Sequence, residues 1–440
     1  MKHIADLRQH LRDCGAKPAH EQRLLRQWAN ALPMDGGRRR LEDWLPLALR
    51  QALPELTATL QNLARLQSTH PDEDGSARLL VALADGQTVE SVLLPRDGLC
   101  VSSQVGCAVG CVFCMTGQGG LLRQVGSAEI VAQVALARTL RPVKKVVFMG
   151  MGEPAHNLDN VIEAIELLGT AGNIGHKNLV FSTVGDSRVF ERLPLGRVKP
   201  ALALSLHTTR AALREQLLPR APRLRPDELV DAAEVYARRT GYPVQLQWTL
   251  LAGINDGDDE IEGLVRLLSG KYMVLNLIPY NAVPGLAYQR PSWEHAAEMA
   301  RKLHRRGVLT KLRHSAGQDV DGGCGQLRAR GLGAAAVALR HVPRQVQVAE
   351  GVDADHRNLE LAVHLGHPAH AVGAQTICAG HLAPARQVGV QAGLFGAERD
   401  VAVLLKDLAV GVQHAAGQDA ADAAVATKGA HTTFCRPLLP

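Results

Sequence analysis

Aromatic residues make up only 3% of this 440-residue chain although 46% of it is hydrophobic, so its apolar content is overwhelmingly aliphatic. No run approaches the roughly 18 consecutive apolar residues that a membrane-spanning helix needs, which argues against a membrane protein. The opening residues Met1-Lys2-His3-Ile4-Ala5-Asp6 lack the apolar stretch of a secretory signal. Together these absences make the cytoplasm the expected address and predict no membrane partner. In that reducing compartment the eight cysteines read as ligands or catalytic thiols rather than a structural disulfide framework. The length suffices to bury a large core and suggests two or three structural units.

Charge is unevenly spread. The whole chain carries +6, whereas residues 331–440 hold eight Lys/Arg against nine Asp/Glu, so the first 330 residues carry +7. Basic groups include Arg38-Arg39-Arg40, the trio Arg220, Arg223 and Arg225, and Arg301-Lys302 with Arg305-Arg306. A basic surface suits a polyanion such as RNA, although similar clusters also occur as solvated helix faces.

Leu7, Leu11, Leu24, Leu25, Trp28, Leu32, Leu41, Trp44 and Leu45 recur at roughly helical spacing and predict a small helical accessory domain over residues 1–72. Residues 77–84 and 88–94 alternate around the turn signal Asp85-Gly86, which predicts a β-hairpin within an extension spanning 73–98. Beyond it, apolar runs at 146–151, 178–183, 201–206, 243–251, 273–280 and 308–313 read as buried parallel strands. Helical stretches at 128–140, 160–168 and 227–239 separate several of them. The alternation predicts an α/β core over 99–330, built as an open or partial barrel. Residues 331–440 change character: they are rich in Ala, Gly, Val and His and show no sustained period. This atypical tail could be poorly packed. Its His364, His367 and His370 lie three apart, but nothing nearby completes a metal-ligand set.

The densest chemical signal is Cys107-Ala-Val-Gly-Cys111-Val-Phe-Cys114. Three thiolates are one fewer than a closed tetrahedral zinc site or a four-cysteine iron–sulfur site requires. The run therefore reads as a [4Fe–4S] cube with one open iron, as a zinc site completed from a distance, or as chance clustering. Phe113, just before the third cysteine, is either core or a face against an adenine. One βα unit later, the strand ending Met149-Gly150-Met151-Gly152-Glu153-Pro154 opens into glycines, where the backbone can approach a ligand closely. Ser182, Ser205-Leu206-His207 and Asn281 fall at the ends of later strands, either as satisfied structural residues or as the lining of one rim. Two further cysteines stand apart. Cys100 lies seven residues before Cys107, and Cys324 sits among small residues in Asp321-Gly-Gly-Cys324-Gly-Gln-Leu327. Either could equally be a buried, inert thiol.

Taken together these segments, from about Gly86 to Leu327, resemble the RlmN/Cfr family of radical S-adenosylmethionine (SAM) adenosine methyltransferases. The matching stretches are Leu99–Gln104, Cys107–Cys114, Gly150–Pro154, Phe181–Gly185, Ser205–His207, Leu277–Asn281 and Cys324–Leu327, and the resemblance spans roughly 55% of the chain. It implies a partial (β/α)6 radical SAM barrel. It further implies a [4Fe–4S] cluster on Cys107, Cys111 and Cys114, and a SAM molecule held by Gly152, Glu153, Ser182, Ser205, Leu206, His207 and Asn281.

The resemblance also implies an activity. Cys324 would take a methyl group from one SAM, and hydrogen abstraction by the 5′-deoxyadenosyl radical from a second would activate it. The resulting methylene adds to adenine C2, or C8, of rRNA or tRNA. Glu90 matches the proton acceptor, although on the residues alone it could be a solvent-facing acidic position. Cys100 matches the thiol that resolves the protein–RNA adduct, with a transient Cys100–Cys324 disulfide. An electron donor such as flavodoxin or ferredoxin and a monomeric enzyme complete the expectation. The chain departs from the family at Ala316, where an Arg usually precedes Gly. Two rival readings are a radical SAM enzyme acting on a non-RNA substrate and an iron–sulfur RNA-binding protein without turnover.

Overall fold

A computed structural model describes residues 1–36, 40–283, 285–313, 325–331, 360–363 and 375–378. The expected elements at Arg38-Arg39, His364, His367, His370, Ala316 and Cys324 lie outside the described residues.

The chain opens with helices α1 (Ile4–Asp13), α2 (Pro18–Ala29) and α3 (Leu47–Asn62). Their buried residues follow the helical period: Ile4, Leu7 and Leu11 in α1, and Leu49, Leu53, Leu56 and Leu60 in α3. Pro18 starts α2 at a position where its missing N–H costs nothing. Helix does not continue to residue 72. Residues Ala64–Pro71 form strand β1, largely exposed along its length. It is the outermost strand of the sheet and pairs only with its neighbour, so it needs no apolar alternation to be stable. That is why hydrophobic period did not reveal it.

The hairpin expected around Asp85-Gly86 is present as β2 (Ala77–Leu83) and β3 (Thr88–Leu94). Gly86 takes φ +81° in the turn, and the Asp85 carboxylate accepts the Gln87 N–H at 3.2 Å. The hairpin is continuous with the core sheet. β3 pairs antiparallel with the short β4 (Gly98–Cys100), placing Val92 opposite Cys100. A separate two-stranded ribbon follows, β5 (Gln104–Gly106) with β6 (Leu121–Gln124), flanking the one-turn helix α4 (Met115–Gln118).

Helix α5 (Ser127–Leu140) then leads into β7 (Lys145–Phe148), and α6 (Leu158–Thr170) into β8 (Leu179–Thr183). Next come α7 (Ser187–Arg192), β9 (Ala201–Ser205), α8 (Ala211–Leu217), α9 (Pro226–Thr240) and β10 (Val244–Leu250). The core ends with α10 (Asp258–Leu268), β11 (Met273–Pro279), α11 (Trp293–Arg305) and β12 (Thr310–Leu312), and α12 (Gln326–Gly331) follows.

Ten strands form one sheet in the order β1-β2-β3-β4-β7-β8-β9-β10-β11-β12, and every neighbouring pair from β4 to β12 is parallel. All six strand runs expected after the cysteine loop are present, with β4 as a further parallel strand before it. This is the expected α/β architecture, a parallel sheet with an antiparallel extension along one edge. Val92, Cys100, Val147, Val180, Ala201 and Ala203 pack together across the strands. The opposite faces of the same strands join the large aliphatic core with α1, α2, α3, α5 and α6.

The chain divides into two compact units, 1–337 and 338–440. In the second, the described residues are an antiparallel pair, Glu360–Val363 with Gln375–Cys378. No helix among the described residues is long and apolar enough to cross a membrane.

Candidate active site

Parallel strands deliver their C-terminal ends to one edge of the sheet, and the loops beyond those ends carry nearly all the residues singled out above. After β4, the ribbon β5–β6 presents the cysteine loop. Main-chain hydrogen bonds fold the loop on itself: Cys107 N–H to Gly120 C=O at 2.9 Å, and Cys114 N–H to Cys111 C=O at 3.1 Å. Gly106 and Gly110 take φ +82° and +67°, the left-handed turns that such a compact loop requires. Two further bonds hang the loop on the segment around α8: Val112 N–H to Leu217 C=O at 3.1 Å, and Arg220 N–H to Val109 C=O at 3.2 Å.

Burial pushes the Cys107 thiol up to about 12, and the Cys111 and Cys114 thiols also rise, through burial and, for Cys111, the repulsion of its neighbours. Such burial favours the neutral thiol, and a bound metal centre would have to offset that cost for the three to act as thiolates. Among the described residues, no three His, Cys, Asp or Glu side chains converge closely enough to hold a single metal ion. Cys107, Cys111 and Cys114 lie on this one loop and offer three thiolates, a donor set that fits an iron–sulfur cube with one iron left open.

The strand end after β7 is built against this loop. Gly152 takes φ +102°, and a Cβ there would lie 2.5 Å from the Gln104 Cβ. Only glycine lets the two backbones approach so closely. The Gln104 side chain accepts the Glu153 N–H at 2.7 Å. The Glu153 carboxylate is buried, accepting the N–H groups of Ala155 and Val184, each at 3.0 Å. Burial nevertheless wins over those bonds and raises its pKa to about 7.

Ser182 is buried near the end of β8, and Ser205 closes β9 half-buried. The Leu206 side chain is wholly buried in the large core, so only its backbone can meet a ligand. His207 is held at φ +63°. Its Nδ1 accepts the Thr249 N–H at 3.0 Å, so the ring proton sits on Nε2. Burial, then the charge of Arg214, lowers its pKa to about 3 and keeps the ring neutral. Phe113 meets that ring edge-on, centroids 5.1 Å apart, and is half-buried. Asn281 follows β11 by two residues and is also half-buried.

Glu90 and Cys100 lie on neighbouring strands β3 and β4. Glu90 is not solvent-facing: it is buried, with Arg78 Nη1 at 3.2 Å from one carboxylate oxygen. Its other oxygen accepts the Arg328 N–H at 2.8 Å, and its carbonyl accepts the Ser102 hydroxyl at 2.5 Å. Cys100 is buried among Val92, Val147 and Val180. Although Cys324 itself is outside the described residues, the chain directly after it is fastened on three sides. Gly325 backs onto Thr116 beside the cysteine loop, Gln326 Nε2 donates to the Ala282 carbonyl at 2.9 Å, and Arg328 reaches Glu90.

Sequence reasoning missed Gln104, Arg78 and Arg214. Gln104 lay inside a stretch already singled out. The two arginines carried no local signal, since each meets its partners through the fold.

Comparison with known proteins agrees with this architecture. The sequence pattern of the Radical SAM superfamily matches residues 101–268. A "probable RNA methyltransferase" of Methylibium petroleiphilum is 77% identical over 332 residues, which cover 76% of this chain and 94% of that protein. One from Pseudomonas aeruginosa is 69% identical over 327 residues, 74% of this chain and 94% of that protein. The crystal structure of a radical SAM methyltransferase from Sphaerobacter thermophilus superposes with a TM-score of 0.64 at 32% identity, covering 74% of this chain and 97% of that one. Matched over nearly the whole length of such relatives, and carrying the cysteine loop and strand-end rim just described, the chain belongs to the RlmN/Cfr family of radical SAM methyltransferases.

Proposed function

We propose that this enzyme transfers a methyl group from SAM to adenosine C2 of an RNA, with C8 the alternative carbon and rRNA or tRNA the substrate. The names of the relatives support RNA as the substrate class. Cys107, Cys111 and Cys114 would hold a [4Fe–4S] cluster, and Gly152, Glu153, Ser182, Ser205, Leu206, His207 and Asn281 would hold SAM beside it. When bound, the cluster and SAM supply an electron and a 5′-deoxyadenosyl radical.

The chain's own residues do the rest. The Cys324 sulfur displaces the methyl group from a first SAM and carries it as a thioether. After hydrogen is removed from that methyl group, the carbon bonds to the adenine ring. Glu90 then accepts the ring proton while the unpaired electron of the adduct leaves to a one-electron acceptor, a role the oxidised cluster would fill, so that the ring regains aromaticity. Cys100, as thiolate, attacks the Cys324 sulfur and breaks its bond to the methylene carbon, which keeps the electron pair and takes a proton to become the methyl group. The two sulfurs leave as a disulfide that a cellular thiol reductant reopens. The enzyme acts as a cytoplasmic monomer with a flavodoxin- or ferredoxin-type donor.

The single observation that best supports this reading is the pairing of the chain just after Cys324 with Glu90, on the strand beside Cys100. That bond supports the reading because Arg328 follows Cys324 by four residues and Glu90 lies on the strand next to that of Cys100. A structural role for Glu90 alone would not require the Cys324 segment there. The test is mass spectrometry of Cys100→Ala protein purified anaerobically from its own cells. RNA covalently attached to Cys324 is expected, and sequencing that fragment names the nucleotide. A Cys324 free of methyl and RNA, in protein that retains its cluster, would overturn the proposal.

A further inference from the structure

Arg214 lies in α8 and is only 4% exposed. Its guanidinium donates through Nη2 to two carbonyls, Val184 just beyond β8 and Ser205 at the end of β9, the latter at 3.2 Å. No carboxylate receives it, and its buried Nε has no acceptor among the described residues. Arg78, another buried arginine beside the site, meets a carboxylate. A buried guanidinium whose hydrogen bonds reach only carbonyls is costly, so its persistence calls for negative charge close by.

Hydrogen bonds on two sides fix where that charge would come from. The cysteine loop donates from Val112 to Leu217, three residues after Arg214 on the same helix, and Arg220 donates to Val109 in the loop. On the other side, Val184 gives its N–H to Glu153 and its carbonyl to Arg214. Arg214 is therefore clamped between the cysteine loop and the Glu153 strand end. Burial draws its pKa down to about 10, and the nearby acidic groups Cys111 and Glu153, when ionised, oppose the shift.

We propose that Arg214 is the fixed counter-charge of the iron–sulfur cluster, a positioning residue that raises the cluster's reduction potential while tying the ends of β8 and β9 beneath it. A cube held by three thiolates is anionic and becomes more so on gaining an electron. A fixed cation in a low-dielectric setting favours that reduced state. The inference rests on the radical SAM reading of the cysteine loop and is independent of RNA being the substrate.

The experiment is a redox titration of anaerobically reconstituted protein, followed by electron paramagnetic resonance of the reduced cluster and run without SAM. Arg214→Met is expected to titrate at a more negative potential. At the potential that reduces half of the wild-type clusters, roughly a tenth as many are reduced in the variant. Arg214→Lys, which keeps the charge and loses the two-carbonyl fork, stays near wild type. A Met variant that titrates with wild type overturns the proposal and leaves Arg214 as a tie or a partner of the SAM carboxylate. Should Arg214→Met not hold iron, Arg214→Gln replaces it, since its amide can still donate to one of the carbonyls. Iron retained in Lys but lost in both Met and Gln supports the charge role, whereas equal loss in all three sinks it. If the wild-type protein methylates no RNA, the proposed function fails and this titration stands unaffected.

Discussion

Arg78 Nη1 stands 3.2 Å from a carboxylate oxygen of Glu90, and the two side chains are only 3% and 1% exposed. An ion pair this deep contributes little net stability as a pair, but breaking it leaves a charge stranded in the protein interior. Arg78→Met is therefore expected to destabilise the protein by about 3–5 kcal/mol in urea unfolding. Glu90→Gln should cost less, because its amide oxygen can still accept the Arg328 N–H. A Met variant that unfolds at the wild-type urea concentration would show that the pair is not what holds β2 to β3 at this point.

Glu153 titrates near pH 7 when folded, against an ordinary value of 4.5, because burial outweighs its hydrogen bonds. Between those values the folded protein binds the proton that the unfolded chain has released, so stability falls as pH rises. The loss should reach about 3 kcal/mol above pH 7. Glu153→Gln removes that slope. Urea midpoints of both cofactor-free proteins at intervals from pH 4.5 to 8 measure it, and parallel pH profiles would refute the assignment.

His207 should act in the opposite sense. Its folded pKa near 3 lies below the ordinary 6.5, so the unfolded chain binds the extra proton between these values. Its contribution is present above about pH 6.5 and is lost as pH falls toward 3. His207→Asn tolerates the φ of +63° and cannot titrate. Thermal unfolding of this variant should be less acid-sensitive than wild type, although lower at neutral pH through loss of the Phe113 contact.

Gly152→Ala places a methyl group 2.5 Å from the Gln104 Cβ at φ +102°. A stability loss of roughly 1–3 kcal/mol is expected, together with a loss of SAM binding as the strand end moves off the cysteine loop. Isothermal titration of SAM into reconstituted protein reads the second effect directly. Unchanged affinity would mean the close approach of Gly152 to Gln104 serves only the fold.

What the sequence by itself determined were the features written in local pattern. The six strands after the cysteine loop, the 77–94 hairpin and helices α5, α6 and α9 all carry an apolar period of their own. The three-cysteine loop announces a thiolate ligand site by its spacing, and the cluster it would hold came from the resemblance of the segments around it. Strand β1 has no such period, because an edge strand buries little, and β4 at three residues is too short to show one. Only the tertiary structure decided that Glu90 is buried and paired, through Arg78 on one strand and Arg328 hundreds of residues away. The same holds for Arg214, whose partners come from the ends of two other strands. A side chain's periodicity reports which face of its own element it occupies. Its charge state depends on the dielectric and the partners that distant elements bring to it, and these exist only once the chain has folded.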